Sequence, residues 1–498
     1  MKKCVIIGSG LGGLSCGVIL AKNGYEVTVL EQAPQIGGCL QCFRRDGSIF
    51  NTGMHYIGSA DAGQTLGVLL HYLGVDADVR LQRLDPMGYD VVSLRGERFP
   101  LANGKEHFIR RLAARFPHSH DELSAYYDTV SRVSLSSPFH TLNKDADLRA
   151  YLYYQERTVN EVVSSLVSDP LLREVLVGTQ PLYAGVKDRT PFSTHALITE
   201  SFNQSAFRIA GGSERVASSL ANTLKRMGGK VLTRHRATKI VCDDTHATAV
   251  LTANGEQFAA DLVISAIHPQ LTVGLVDSRL MRSTYRHRIA QARNTISPFT
   301  VYLKFRKNAV RYMNYNLYCY RGDSTWGCED YDESSWPKGL LYMHFCHEEN
   351  PEYAQTGEIL TYMKYEDVKP WQGTSVGHRG ESYEAFKQRK AEAAIQALEK
   401  EVPGISANIE RYYTSTPLTY HDYTGVPEGS MYGIATDVNA PGFGTVSCKT
   451  RIPNLLLAGQ DVSLHGMVGV LAGSLMTCSE VLTQDRLFAQ ILNPEPGT

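Results

Sequence analysis

Cys4-Val5-Ile6-Ile7-Gly8-Ser9-Gly10-Leu11-Gly12-Gly13 stands almost at the start of the chain. Its four apolar residues suit a short strand buried in a parallel sheet. Gly8, Gly10 and Gly13 satisfy G-x-G-x-x-G, a helix follows to about Asn23, and Gly24 ends it. Glu26-Val27-Thr28-Val29-Leu30 is a second strand, closed by Glu31. Strand, glycines, helix, strand and acid in this register predict a βαβ unit that binds a dinucleotide. Gly8 allows the tight turn, Gly10 admits a pyrophosphate to the backbone, and Gly13 lets helix and strand pack closely. Leu11 and Gly12 begin the helix, whose free N–H groups and partial positive charge face the phosphates. The Glu31 carboxylate accepts hydrogen bonds from ribose hydroxyls and repels a 2′-phosphate, which disfavours NADP.

The residues after Glu31 separate FAD from NAD. Gln32-Ala33-Pro34-Gln35-Ile36-Gly37-Gly38-Cys39 leads on to Phe50-Asn51-Thr52-Gly53, and Gly37-Gly38 lets the chain run beside an extended ligand. This stretch resembles the second motif of flavoproteins of the amine oxidase and phytoene desaturase superfamily. Arg208-Ile209-Ala210-Gly211-Gly212-Ser213 precedes a helix at about 214–227 and a strand at 230–233 that continues at 237–241. It resembles the middle segment of that superfamily, which implies that a backbone group at Ala237 meets the adenine. A strand at 261–266 follows. Ile452 to Asp461, then Leu464-His465-Gly466-Met467-Val468-Gly469-Val470, resembles the C-terminal segment. The resemblance implies that Gly459, Gln460 and Asp461 hold the ribityl chain and pyrophosphate. It also implies that Gly466, Val468, Gly469 and Val470 begin a helix facing the flavin N1–C2=O edge, where reduced flavin carries negative charge. Gln32, Gly37, Gly38 and Cys39 complete the implied cofactor set.

The finer resemblance is to retinol saturases and carotenoid isomerases, relatives of phytoene desaturase. Gly53-Met54-His55-Tyr56-Ile57-Gly58 and Gly459-Gln460-Asp461 with His465-Gly466 carry it. Two positions depart from the family pattern. Asn51 stands where an acid is usual, and Arg208-Ile209-Ala210 replaces a bulky residue and proline before Gly211-Gly212.

A chain of 498 residues has the length of about three ordinary domains and buries a large core without disulfides. Its 50 basic and 51 acidic residues give a net charge of −1, which argues against a nucleic acid partner. Ten scattered cysteines fit a reducing, cytoplasmic compartment. Met1-Lys2-Lys3 and the uncharged run to Ala21 imitate a signal peptide, but cleavage would destroy the glycine motif, so export is not expected. The uncharged stretch 462–479 holds His465 and three glycines and reads poorly as a membrane span. The tail from Asn493 to Thr498, with two prolines and a glycine, is expected to fray.

The expected fold is α/β: a Rossmann-type FAD-binding domain (1–75, 204–275 and 415–498) interleaved with a substrate domain (76–203 and 276–414) of antiparallel sheet plus helices. Residues 76–195 read as helical. Phe299 to Phe305, Tyr315 to Tyr320, Leu340 to His347 and Ile359 to Tyr365 read as strands forming one wall of a substrate cavity. A helix is expected at about 383–401.

Three motifs mislead. Gly373-Thr374-Ser375-Val376-Gly377 matches a hydrolase elbow but lacks the preceding buried strand. Cys39-Leu40-Gln41-Cys42 has metal-type spacing without a second pair. His344 and His347, beside Cys346, fall on opposite faces of a strand, so no metal is expected. Saturating a double bond needs a proton donor. His465 is the first candidate, against a structural histidine that orients the turn. His55 and Tyr56 come next, then Tyr420, His421, Asp422 and Tyr423.

The expectation is an FAD-dependent oxidoreductase that saturates, desaturates or isomerises carbon–carbon bonds of a hydrophobic polyene or isoprenoid, with hydride exchange at flavin N5. The alternatives are an amine or amino-acid oxidase and a non-catalytic escort protein that binds prenyl lipids. No second glycine motif offers an NADPH domain, and the electron partner is left unnamed. The apolar substrate implies peripheral membrane contact. Arg282, Arg286 and Arg288 are considered for it, with a solvated helix face as the plainer reading.

Overall fold

The computed structural model describes residues 1–440, 442 and 445–493. Cys4, Val5, Ile6 and Ile7 are all buried, as a strand covered on both faces requires. Lys3–Ile7 is the central strand of a five-stranded parallel sheet. It pairs with Glu26–Leu30 on one side and Leu262–Ser265 on the other. Lys230–Leu232 and Leu455–Leu457 form the edges. One sheet thus takes strands from the beginning, middle and end of the chain, in an α/β, Rossmann-type arrangement.

Helix Leu11–Lys22 packs against both Glu214–Arg226 and Gly466–Leu482. The last of these accounts for the uncharged stretch: Leu471, Ala472, Gly473, Ser474, Leu475 and Cys478 are buried in the core. Small residues there let helix backbones approach closely. No helix among the described residues is long and apolar enough to cross a membrane.

Residues 237–241 do not continue the parallel strand. Arg234 takes a left-handed φ of 60°, which ends the strand, and Ala237–Cys242 joins a separate antiparallel sheet with Ala247–Thr252 and Gln257–Ala259.

The expected second sheet has seven strands, in the order Ile409–Ser415, Ser297–Phe305, Asn350–Met363, Gly339–His347, Asn316–Tyr320, Asp90–Leu94, Glu97–Leu101. Its last two strands come from the stretch read as helical. Asp90–Leu94 pairs parallel with Asn316–Tyr320, so the sheet is mixed rather than wholly antiparallel. All five residues of Asp90–Leu94 are buried, and a strand buried on both faces shows no alternation to read. Helices fill much of 105–204, and Glu381–Glu401 supplies the expected later helix. Residues 373–377 form an irregular turn with neither strand nor helix. His344 is buried between the Met313 N–H (3.1 Å) and the Tyr342 hydroxyl (2.5 Å), while His347 is exposed. The expected fraying of 494–498 lies outside the described residues.

Candidate active site

The glycine loop is held by its own backbone. Gly8 has φ 98°, and its N–H donates to Leu30 at 2.8 Å. A Cβ at Gly13 would lie 2.0 Å from the Gly8 carbonyl oxygen, so Gly13 serves helix-to-strand packing. Gly12 meets the C-terminal segment, where a Cβ would lie 2.9 Å from Gly459. The second motif docks on the first: the Gly37 N–H donates to the Ser9 carbonyl at 3.0 Å, and Gly37 and Gly38 both have positive φ.

Gly10 differs from these. Its φ of −67° and ψ of 179° are open to any residue, and a Cβ there would meet no described protein atom within 4 Å. Protein packing does not require this glycine. The space it leaves lies at the start of Leu11–Lys22, whose cap has no side-chain hydrogen bond among the described residues. A bare helix N-terminus beside an open glycine fits an approaching pyrophosphate.

The Glu31 carboxylate is aimed by its own loop. Oε2 accepts the Ser9 N–H at 3.0 Å and the Ser9 hydroxyl at 2.6 Å, and Oε1 accepts the Ala33 N–H at 2.8 Å. Oε1 keeps a lone pair for a further donor. Asn51, the first departure from the family pattern, has a structural task. Its Oδ1 accepts the Ser213 N–H (3.0 Å) and hydroxyl (3.2 Å), tying the second motif to the middle segment.

These segments line one cavity of about 1050 Å³. All the residues expected to hold the cofactor border it except Gly13, which lies behind the turn. At the far end Gly466 (φ 73°) opens Gly466–Leu482, whose cap likewise has no side-chain hydrogen bond among the described residues. Asp461 is fixed by the Ile434 N–H at 2.7 Å. Part of the lining is apolar, formed by Leu182, Leu197, Ile198, Phe202, Leu341 and Leu360, which belong to or pack against two apolar clusters and are termed the apolar arm. Burial pushes the Cys42 thiol up, which keeps it protonated and poor as a metal ligand, while Cys39 is exposed.

His465, His55 and Tyr56 all border the cavity. The His465 ring stacks on Tyr432 at 4.0 Å, and its Nε2 lies 2.9 Å from the Leu182 carbonyl. That carbonyl only accepts, so Nε2 carries the ring proton. Burial lowers His465 to about 4, leaving no second proton at neutral pH. Nδ1 of His55 lies 2.6 Å from Oε2 of Glu358, a close contact off the line of a hydrogen bond. Oε1 of Glu358 accepts the Asn51 N–H at 3.1 Å. The Tyr56 hydroxyl donates to Asp90 at 3.0 Å and touches the Tyr318 hydroxyl at 2.5 Å. Tyr420 and Tyr423 border the cavity. His421 and Asp422 pair with each other at 3.1 Å outside it. Glu358, Asp90 and Tyr318 escaped sequence reasoning, because each lies on a strand remote from every glycine motif.

Residues 11–482 match the family model described as flavin containing amine oxidoreductase. Human all-trans-retinol 13,14-reductase is 27% identical over 98% of this chain and 87% of its own. The chloroplastic prolycopene isomerase 1 of an Oncidium hybrid cultivar is 26% identical, over 97% and 84%. The crystal structure of an oxidoreductase from Methanosarcina mazei superposes with a TM-score of 0.65 at 17% identity, covering 96% of this chain and 100% of that one. The last likeness shows the fold.

Proposed function

The chain belongs to the flavin containing amine oxidoreductase family, and on that premise we propose an FAD-dependent oxidoreductase acting on carbon–carbon bonds of a hydrophobic polyene of the retinoid or carotenoid class. The observation that carries this reading is the single cavity, which joins the glycine cradle to an arm walled by leucine, isoleucine and phenylalanine. FAD supplies hydride exchange at its isoalloxazine N5. In this reading Glu31 holds the ribose, Gly10 and the start of Leu11–Lys22 take the pyrophosphate, and Gly459 to Asp461 line the ribityl chain. The N-terminus of Gly466–Leu482 faces the electron-rich flavin edge, where a partial positive charge stabilises an anion.

The apolar arm aligns the polyene and excludes water. His465 forms wall rather than acid, since its one ring proton is committed to Leu182. His55 and Tyr56 remain the groups placed to hold or deliver a proton. An amine oxidase reading has less support, because relatives that match over nearly the whole chain are a retinol reductase and a prolycopene isomerase. An escort role would leave the intact cradle without a use. The division into an FAD part (1–75, 204–275, 415–498) and a substrate part (76–203, 276–414) belongs to the same reading.

The reading includes peripheral membrane contact. Leu135, Leu148, Leu152 and Tyr153 are exposed in the same helical region as His140, which borders the cavity. Arg286 is not available for lipid, because its guanidinium donates to the Val273 and Val276 carbonyls.

Anaerobic mixing of the photoreduced flavoprotein with retinoids and carotenoids tests the reading. Polyene-dependent reoxidation of the flavin, with a saturated product, is expected. Turnover of amines with hydrogen peroxide release, and no response to any polyene, would overturn it.

A further inference from the structure

Beside the cavity lies a cluster of polar side chains sealed from solvent. Asp90, Asn316 and Tyr318 are each 0% exposed, and Arg208 is 2% exposed. Strand pairing brings them together. Asp90–Leu94 lies parallel to Asn316–Tyr320 with Asp90 opposite Asn316, and Tyr318 is two residues further along the same face. The Asn316 amide donates to Oδ1 of Asp90 at 2.7 Å, and the Tyr56 hydroxyl donates to Oδ2 at 3.0 Å. Arg208 donates to the carbonyl oxygen of Asn316 at 2.8 Å. The guanidinium thus reaches the carboxyl only through an amide, and no cation touches Asp90 directly. Burial favours the protonated form of this carboxyl and outweighs the two donors and the Arg208 charge, which favour the carboxylate. Of this group, Tyr56 alone borders the cavity.

We propose that Asp90 is the proton store of the cavity and recharges Tyr56 across their shared hydrogen bond. The proposal rests on the carbon–carbon bond chemistry inferred above, and asks where its proton comes from. Tyr56 gives its hydroxyl proton to the substrate carbon that has become electron-rich. In the same step the bond from Asp90 Oδ2 to its proton breaks and a new O–H bond forms on Tyr56, because burial disfavours a free phenolate there. The phenol is regenerated, the carboxyl becomes a carboxylate, and one solvent proton, passed in through Tyr56 at the cavity, restores it. The Tyr56–Tyr318 contact of 2.5 Å lets the hydroxyl chain reverse direction with the charge of Asp90, since each phenol can donate or accept.

The titratable and charged groups facing Asp90 are Tyr56, Tyr318, Tyr89 and Arg208. Burial pushes all three phenols well above their ordinary value, so they stay protonated across neutral pH. Burial lifts Asp90 to about 7. Glu200, near Tyr89, is also lifted to about 7 by burial and is the control.

The test uses the FAD-loaded enzyme in two measurements. Infrared difference spectra across pH should show a protonated carboxyl at neutral pH that Asp90→Asn removes and Glu200→Gln does not reproduce. Single-turnover reoxidation of the reduced enzyme by a polyene should slow as pH rises through about 7 in the wild type. Asp90→Asn should lose this dependence and run about 100-fold slower, the lower range for a positioned acid. Tyr56→Phe, which keeps its ring packed on Phe202, should be equally slow yet retain the carboxyl band. Should Asp90→Asn fail to fold, Tyr56→Phe carries the kinetic arm. A wild type without the band, or variants with the wild-type rate and pH profile, overturns the proposal. A wild type inert to every polyene overturns the functional reading instead, and a retained band then upholds the proton store.

Discussion

Gly10→Ala separates what the fold needs from what the cofactor needs. The backbone at Gly10 suits alanine, and a Cβ there meets no described protein atom within 4 Å. The apoprotein should therefore not weaken. Restricting the unfolded chain stabilises it by about 0.4–1 kcal/mol. The same methyl group occupies the space left for the pyrophosphate. Losing one hydrogen bond to a charged group removes about 1.5–3 kcal/mol, and forcing a methyl into a filled site costs about 1–3 kcal/mol. Together these raise the Kd for FAD by about 10²–10⁴-fold, at about 1.4 kcal/mol per decade. Gly13→Ala is the contrast: its Cβ would lie 2.0 Å from the Gly8 carbonyl oxygen, so the fold itself must give. Thermal unfolding of flavin-stripped protein reads the first effect, and fluorescence titration with FAD reads the second. The reasoning is refuted if Gly10→Ala binds FAD as the wild type does, or if its apoprotein is as unstable as Gly13→Ala.

Further predictions concern protons and surfaces. Asp90 rises from 3.8 to about 7 on burial, so the folded state keeps a proton that the unfolded chain loses in that window. Wild-type stability should fall as pH rises from about 4 to about 7, by up to about 4 kcal/mol at about 1.4 kcal/mol per unit. Asp90→Asn should show a smaller loss, keeping only the share that Glu200 contributes in the same window; denaturant unfolding at both pH values that moves in parallel for the two proteins would count against it. His465→Phe keeps a ring to stack on Tyr432 and loses the Leu182 hydrogen bond, worth about 0.5–1.5 kcal/mol. Its reoxidation rate should retain the wild-type pH profile, and a flattened profile would restore His465 as the acid. Leu148→Asp with Leu152→Asp should weaken co-sedimentation with liposomes, since interfacial binding scales with apolar area. Unchanged sedimentation would place the membrane contact elsewhere.

The parallel sheet was legible because its motifs carry their own punctuation. Gly24 ends the first helix, Glu31 closes the second strand, and Gly228 ends the helix Glu214–Arg226, each from local sequence. The break at Arg234 was not legible, because a left-handed arginine has no sequence signature. Asp90–Leu94 was missed for a different reason. With both faces buried it alternates nothing, and its surroundings were rich in helical pattern, so periodicity favoured the wrong element.

The cofactor cradle could be read from glycines, since each glycine reports a constraint on backbone that acts locally. Proton handling leaves no such trace. Asp90 and Asn316 become neighbours only when two strands more than 200 positions apart pair in register. Arg208, seen in the sequence as a departure from the family pattern, makes sense only beside them. It steadies Asn316 and so fixes which oxygen of Asp90 is left for Tyr56. A directly paired arginine would have held the carboxylate charged. The intervening amide keeps the arginine one residue away, which leaves burial as the larger influence on the carboxyl and the Arg208 charge as the smaller, opposing one.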